Sequence, residues 1–147
     1  MKAYKVVVKN EFRDSSDRFF WDKKFDKDSL VSIRGSDLTI EYKLNEKAFP
    51  EIGKLFVFKN LERAKICLSN IQNEQTFFVF EGEVENCRRI FRVCSYMRDY
   101  FTFWEAKKNH KNPRNYVITG PAPQGSYVCD SFTPTKIVSM WKGGKEI

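Results

Sequence analysis

The apolar positions of the chain fall in short runs, the pattern that β-strands produce. Residues 55–58 are apolar throughout, and residues 4–8 contain three consecutive valines. Branched and aromatic side chains favour strands, and a run without polar positions is typical of a strand buried on both faces. We therefore predict a strand at residues 4–8 and a central strand at residues 55–58.

Further strands are predicted where alternating or short apolar segments are bounded by turn residues. These segments are residues 30–33, 39–44, 76–84, 88–94, 116–119, 127–129 and 136–141. Only residues 85–87 separate two of them, so residues 76–84 and 88–94 are predicted to pair as a hairpin. Gly143 and Gly144 follow the last strand and are expected to form a frayed end.

Two helices are predicted from a different spacing of apolar residues. Asn60 is a good N-cap, and apolar residues follow it at helical spacing, which predicts a helix over residues 61–69. Residues 95–108 are predicted to form a second helix, whose one side carries Tyr96, Tyr100, Phe103 and Trp104. Residues 10–29 are expected to form a long loop or a short helical turn that folds back onto the body through Phe19, Phe20, Trp21 and Phe25.

Length and composition set the fold class. The 147 residues match the usual size of one domain, and the 14 Phe, 6 Tyr and 3 Trp favour a sheet over a helical bundle. Neither a repeat nor a linker divides the sequence. We predict an α+β fold, in which one mostly antiparallel sheet carries one or two short helices, as a single domain over residues 1–147.

The lengths of the apolar runs and the spacing of the cysteines indicate the cellular compartment of the protein. No run approaches the roughly 20 residues that cross a bilayer, and the N-terminus lacks the apolar stretch of a secretory signal. The spacing of Cys67, Cys87, Cys94 and Cys129 fits neither zinc nor redox motifs, so free, buried thiols in a reducing environment are expected. We predict a soluble cytoplasmic protein with no metal site and no cofactor.

Positive charge is concentrated in one third of the chain. Residues 86–116 hold eight basic residues against two acidic ones, which gives them a net charge of +6 out of +7 for the whole sequence. Seven aromatic residues are interleaved with these charges, a combination that can bind phosphate while a ring stacks on a base. An anionic partner is therefore predicted: a nucleotide, a nucleic acid or an acidic protein surface.

The candidate ligand-binding residues all come from this basic segment. They are Arg88, Arg89, Arg92, Arg98, Tyr100, Trp104, Lys107, Lys108, His110 and Arg114. The alternative interpretation is that the rings belong to the core and that the charged side chains form an ordinary solvated face. His110 is the only histidine, and its polar, basic surroundings also suit a surface loop.

One pair of carboxylates is a candidate for chemistry, although the chain contains no phosphate loop, dinucleotide fingerprint, nucleophile elbow or zinc-helix motif. Glu81 and Glu83 lie two apart on a predicted strand, so their side chains project from the same face and could do acid–base work. Alternatively, Glu81, Glu83 and Glu85 could face the arginines of the predicted hairpin in a cross-strand charge match. Those arginines are Arg88, Arg89 and Arg92.

Several short motifs together resemble a loose family of small proteins from bacteriophages and large DNA viruses. The motifs are Tyr4-Lys5-Val6-Val7, Gly53-Lys54-Leu55-Phe56-Val57-Phe58, Leu61-Glu62-Arg63-Ala64, Glu81-Gly82-Glu83-Val84, Cys129-Asp130 and Thr133-Pro134-Thr135-Lys136. That family has no assigned activity. The resemblance implies a viral or phage accessory protein that acts in the cytoplasm of the host cell.

A second set of residues is similar to the pattern of ADP-ribosyltransferase-type domains. Arg34 would be the arginine of an early strand, residues 56–64 the strand and following helix, and Glu81 and Glu83 the Glu-x-Glu strand. This resemblance implies an enzyme that uses NAD, with Arg34, Glu81 and Glu83 as residues to test. The sequence favours a non-enzymatic binding module for an anionic ligand; an NAD-using enzyme and a protein-interaction domain are the alternatives.

Overall fold

The computed structural model describes residues 1–11, 25–32, 40–71 and 74–147. Arg34 lies outside these residues, as do Phe19, Phe20 and Trp21 of the predicted long loop. Phe25, from the same predicted loop, packs against the core as expected.

The described chain forms ten strands and two α-helices, which confirms the α+β class. The strands are β1 (Lys2–Lys9), β2 (Leu30–Ser32), β3 (Leu55–Phe58), β4 (Thr76–Glu85), β5 (Arg88–Arg89), β6 (Arg92–Cys94), β7 (Thr119–Pro121), β8 (Ser126–Cys129), β9 (Ser131–Lys142) and β10 (Lys145–Glu146). The helices are α1 (Leu61–Ser69) and α2 (Tyr100–Lys108), with single 3₁₀ turns at Met97–Asp99 and Pro113–Asn115.

One large sheet holds eight of these strands. Its order is β10-β9-β4-β1-β3-β8-β5, and β2 pairs with the end of β1. Strands β6 and β7 form a separate two-stranded sheet. Every strand pair that the structure describes is antiparallel, as predicted.

Alternation along the central strands divides the core into two layers. Val6 and Val79 pack with Leu68 of α1 on one face of the sheet, whereas Val7 and Phe80 lie on the other face. Residues 40–48 cover this second face with the side chains of Ile40, Tyr42 and Ala48.

Both helices cover the first face. Phe56 and Phe58 are two positions apart on β3, so their side chains project in the same direction. Phe58 packs in the cluster that contains α1, and Phe56 packs with Phe103 and Trp104 of α2. The second helix therefore lies beside the first, over the β3 and β8 end of the sheet.

The structure confirms the first predicted helix. The side-chain oxygen of Asn60 accepts a hydrogen bond of 2.7 Å from the backbone N–H of Glu62, as an N-cap should. Ala64 and Leu68, one turn apart, are buried against the sheet. The second helix starts at Tyr100, later than predicted, because the residues before it form the 3₁₀ turn.

The predicted hairpin of residues 76–84 and 88–94 is wrong. Strand β4 lies between β1 and β9, so both of its edges are already paired. The segment 88–94 divides instead into β5, which pairs with β8, and β6, which pairs with β7. The predicted charge match of Glu81, Glu83 and Glu85 with Arg88, Arg89 and Arg92 is therefore also wrong.

Residues 40–44 do not form the predicted strand. Glu41 makes only an isolated bridge to Val31, and Tyr42 turns into the core. Asn45 then adopts a left-handed backbone, with φ of 64°, and its N–H donates to the carbonyl of Pro134 on β9. The chain thus leaves the edge of β2 after a single bridge.

Two predictions for the C-terminal part of the chain are also corrected by the structure. Gly143 and Gly144, with φ of 61° and 76°, form the tight turn between β9 and β10 instead of a frayed end. Two consecutive left-handed residues are typical of two-residue hairpin turns. Strand β7 begins where the predicted strand at residues 116–119 was expected to end.

Neither helix in the described part of the chain is long and apolar enough to span a membrane.

Candidate functional site

The aromatic residues of the basic segment divide into two groups. Tyr100, Phe103 and Trp104 are buried in a cluster between α2 and the sheet. Four other rings are between 49% and 66% exposed: Phe91, Tyr96, Phe101 and Tyr116. The structure thus places some predicted rings in the core and leaves others on the surface.

A broad groove, which we call the main groove, runs between β5 and the C-terminal end of α2. It encloses about 1010 Å³, and residues 52–54 form part of its wall. Six lysine and arginine side chains line it: Lys54, Arg88, Arg89, Lys107, Lys108 and Lys111. Glu105 is the one carboxylate among the described residues of its lining.

The remaining lining of the main groove is largely apolar. Ile52, Ile90, Trp104 and Val128 contribute to it, and they also belong to the buried cluster around α2. Ion pairing is stronger beside such a surface than in open water, because the surface has a lower effective dielectric.

The end of α2 presents its basic residues through a Schellman motif. The N–H of His110 donates to the carbonyl of Lys107 over 3.1 Å, and the N–H of Lys111 donates to the carbonyl of Ala106 over 2.8 Å. His110 takes the left-handed conformation of this motif, with φ of 57°. The turn keeps Lys107, Lys108, His110 and Lys111 along the same groove.

The basic residues of the main groove differ in how they are compensated. Lys54 pairs with Asp130, and hydrogen bonds from Lys54 and Asn86 hold the pKa of Asp130 below its ordinary value. The positive charge of Arg88 lowers this pKa further. Within the described ranges, none of the other five basic side chains pairs with a carboxylate.

Two smaller grooves adjoin the main groove. The first, the side groove, encloses about 260 Å³ and shares Arg89, Ile90, Lys107 and Pro113 with the main groove. The second, the end groove, encloses about 150 Å³ and shares Glu105, Asn109 and Lys111 with it.

Each smaller groove contains one exposed ring with a cation beside it. In the side groove the Arg89 guanidinium lies 4.8 Å from the centre of the Phe91 ring. In the end groove Lys111 Nζ lies 6.0 Å from the centre of the Tyr116 ring.

The structure brings most of the predicted binding residues to these grooves. Six line the main groove: Arg88, Arg89, Trp104, Lys107, Lys108 and His110. Arg92 and Arg114 line the side groove, and Arg92 donates to the side chain and carbonyl of Thr119 over 3.0 and 3.1 Å. All three grooves thus draw on the predicted basic segment.

Two predicted residues lie apart from the grooves, and two lining cations were missed. Arg98 stacks on Tyr96, 4.9 Å from the ring centre, and Tyr100 is buried under α2. Lys54 and Lys111 line the main groove without having been predicted. Lys111 could have been predicted from the sequence, because it lies within the same basic segment. Lys54 could not, because it precedes an apolar strand far from that segment.

The candidate carboxylates on β4 are each bound to different cations. Lys136 and Lys2 lie 3.4 and 3.6 Å from Glu81. Desolvation works against ionisation of Glu81, but these two charges outweigh it and lower its pKa. Glu83 pairs with the terminal amine of Met1 over 2.9 Å. The catalytic partner proposed from the resemblance, Arg34, lies outside the described residues.

Three of the four cysteines, Cys67, Cys87 and Cys129, do not supply a reactive thiolate. The structure describes all four, and none of them forms a disulfide; Cys94 and Cys129 are buried, and Cys67 and Cys87 are half-buried. Burial raises the pKa of Cys129 to about 12 and also raises the pKa values of Cys67 and Cys87, so these three thiols stay protonated at neutral pH. In the part of the chain that is described, no group of three or more His, Cys, Asp or Glu side chains could hold a metal ion.

Comparison of the chain with models of protein families, with curated proteins and with solved structures found no match.

Proposed function

We propose that this protein is a non-enzymatic binding module that holds an anionic ligand in the main groove. The observation that carries the proposal is a set of five cations around one concave surface that form no salt bridge with a described carboxylate: Arg88, Arg89, Lys107, Lys108 and Lys111. Like charges gathered around a groove repel one another, and a bound anion would remove this repulsion. The apolar lining beneath them would strengthen each ion pair by excluding water.

The chemistry available elsewhere supports binding more than catalysis. Glu81 and Glu83 are neutralised by separate cations, and neither lines the main groove. The NAD-using alternative rests on the sequence resemblance alone. The resemblance to phage and viral proteins supports, as part of the same proposal, an accessory role in the cytoplasm of a host cell.

The proposal is tested with a variant that removes three groove cations, Arg88→Gln, Lys108→Gln and Lys111→Gln. Binding is measured by calorimetry at about 50 mM salt, where surface electrostatics are only partly screened. The probes are ATP, inorganic polyphosphate, a single-stranded oligonucleotide and a polyglutamate peptide. We expect at least one probe to bind the unaltered protein and to bind the variant roughly ten-fold more weakly or worse.

The matched control removes three exposed lysines that line none of the three grooves, through Lys27→Gln, Lys142→Gln and Lys145→Gln. Its net charge equals that of the groove variant, so a purely long-range effect of charge would weaken binding equally in both. Equal losses, or no binding of any probe, would overturn the proposed function.

A further inference from the structure

We infer that the anionic ligand is a single-stranded nucleic acid that runs along the side groove, the main groove and the end groove. This inference rests on the proposed function and adds the class of ligand. Its basis is that the three grooves are neighbours that share lining residues, from which we infer one track. The main groove shares Arg89 and Lys107 with the side groove, and it shares Lys111 with the end groove.

The length of the track favours a polymer over a small anion. The main groove alone, at about 1010 Å³, is at the upper limit of pockets that enclose a small molecule, and it shares lining residues with two further grooves. A nucleotide or a phosphate ion would leave most of the lining cations unpaired. A chain of phosphates can contact cations in all three grooves in succession.

The exposed rings favour nucleotides over other polyanions. Phe91 and Tyr116 are 66% and 55% exposed, and each stands in a different smaller groove beside a cation. A ring next to a cation can stack on a base while the cation pairs with a neighbouring phosphate. Polyphosphate and acidic peptides have no base to place on these rings.

The same rings favour a single strand over a duplex. The bases of a duplex stack on one another, so a surface ring reaches a base face only after the duplex has been opened. The bases of a single strand are free to stack on aromatic side chains, in any sequence, because every base has a π-face. We therefore expect little sequence preference and a strong dependence on salt.

The test compares Phe91→Leu and Tyr116→Leu with Phe49→Leu. Phe49 is a matched control, because it is 61% exposed and has Lys47 Nζ 6.0 Å from its ring centre, yet it lines none of the three grooves. Leucine keeps an apolar side chain and removes the stacking surface. Affinity is measured by fluorescence anisotropy with labelled oligothymidylates of roughly 4 to 16 nucleotides, the range of site sizes in known single-strand binding folds.

The expected result has three parts. Affinity rises with oligonucleotide length to a plateau; Phe91→Leu and Tyr116→Leu each weaken the longer oligonucleotides by roughly ten-fold; and Phe49→Leu has no effect. Competition with polyphosphate of equal charge is weak, and its binding is unchanged by the leucine variants. The logarithm of the binding constant falls against the logarithm of salt concentration with a slope of about −0.7 for each phosphate bound.

The outcomes separate this inference from the proposed function. If polyphosphate, duplex DNA or polyglutamate binds as tightly as the oligonucleotide, or if both leucine variants bind it normally, the single-stranded ligand is wrong. The proposed function then stands so long as the binding still depends on Arg88, Lys108 and Lys111. If no probe shows that dependence, both proposals fail.

Discussion

Gly53 lies so close to Trp104 that a methyl group at this position would overlap the indole ring. A Cβ on Gly53 would lie 2.3, 2.4 and 2.5 Å from the Cδ2, Cγ and Cδ1 atoms of Trp104. Gly53 also has a φ of 71°, in the left-handed region that favours glycine. Residues 52–54, which form part of the wall of the main groove, therefore contact α2 through this glycine.

We predict that Gly53→Ala lowers the free energy of unfolding by about 2–4 kcal/mol, because it adds backbone strain to an overlap in a packed region. Gly143→Ala is the matched control. Gly143 also has a positive φ, of 61°, but a Cβ at this position would come within 4 Å of no residue beyond its chain neighbours, so its substitution should cost only about 1 kcal/mol of backbone strain. Urea denaturation of the two variants measures the difference, and equal losses would show that the contact with Trp104 is unimportant.

The left-handed conformation of His110 leads to a second prediction. At this position in a Schellman motif glycine carries no steric penalty, so His110→Gly should raise the free energy of unfolding by roughly 0.5–1 kcal/mol. A β-branched residue is the least tolerant of this conformation, and His110→Val should lower the same quantity by about 1–2 kcal/mol. Thermal unfolding gives the order of stability; the order Val above His above Gly would contradict the motif.

The elements that could be predicted from the sequence are those fixed by neighbouring residues. Helix α1 follows from the N-cap at Asn60 and from the spacing of Ala64 and Leu68, all within ten positions. Strand β3 follows from its unbroken apolar run. The partners of β4 could not be predicted in this way, because β1 and β9 lie far from it along the chain. A rule based on the shortest connection therefore favoured the wrong hairpin.

The candidate site shows the same limit. Concentrated charge identified Arg88, Arg89, Lys107 and Lys108, which come from two elements that face each other across the main groove. Lys54 reaches the groove only through the pairing of β3 with β8, and that pairing carries no local signal. The fold thus decides which of the many cations meet.

The exposed rings illustrate how helical spacing sorts side chains. Tyr100, Phe103 and Trp104 recur at intervals of three and one, which places them on one face of α2, and all three are buried. Phe101 falls between them and is 58% exposed. Tyr96 was predicted to lie on the same side of the helix as these three residues, but it precedes the helix and is 49% exposed.

The lowered pKa of Asp130 gives a prediction for stability against pH. A carboxyl whose pKa is lower in the folded state stabilises the fold above its unfolded pKa of about 3.9, and this contribution disappears as the pH falls through the folded pKa. The cause is the pair of hydrogen bonds from Lys54 and Asn86. Asp130→Asn should therefore reduce stability at pH 7, with a difference from the unaltered protein that shrinks as the pH falls below the unfolded pKa and vanishes once Asp130 is protonated in the folded state. Urea denaturation across this range measures it, and a constant difference would contradict the assignment.

The same carboxylate should oppose ligand binding, because Asp130 neutralises Lys54 and lies within the influence of Arg88 at the main groove. We predict that Asp130→Asn strengthens the binding of polyphosphate or of a single-stranded oligonucleotide by roughly two- to five-fold at about 50 mM salt.

Glu146→Gln is the matched control: Glu146 pairs with Lys65 over 3.3 Å, and its strand lies at the end of the sheet opposite to β5. Both substitutions add the same net charge and release one lysine. Titration calorimetry on the two variants separates local from global electrostatics, because only Asp130→Asn frees a lysine that lines the main groove. An equal gain in both would mean that overall charge attracts the anion and that the main groove does not hold it.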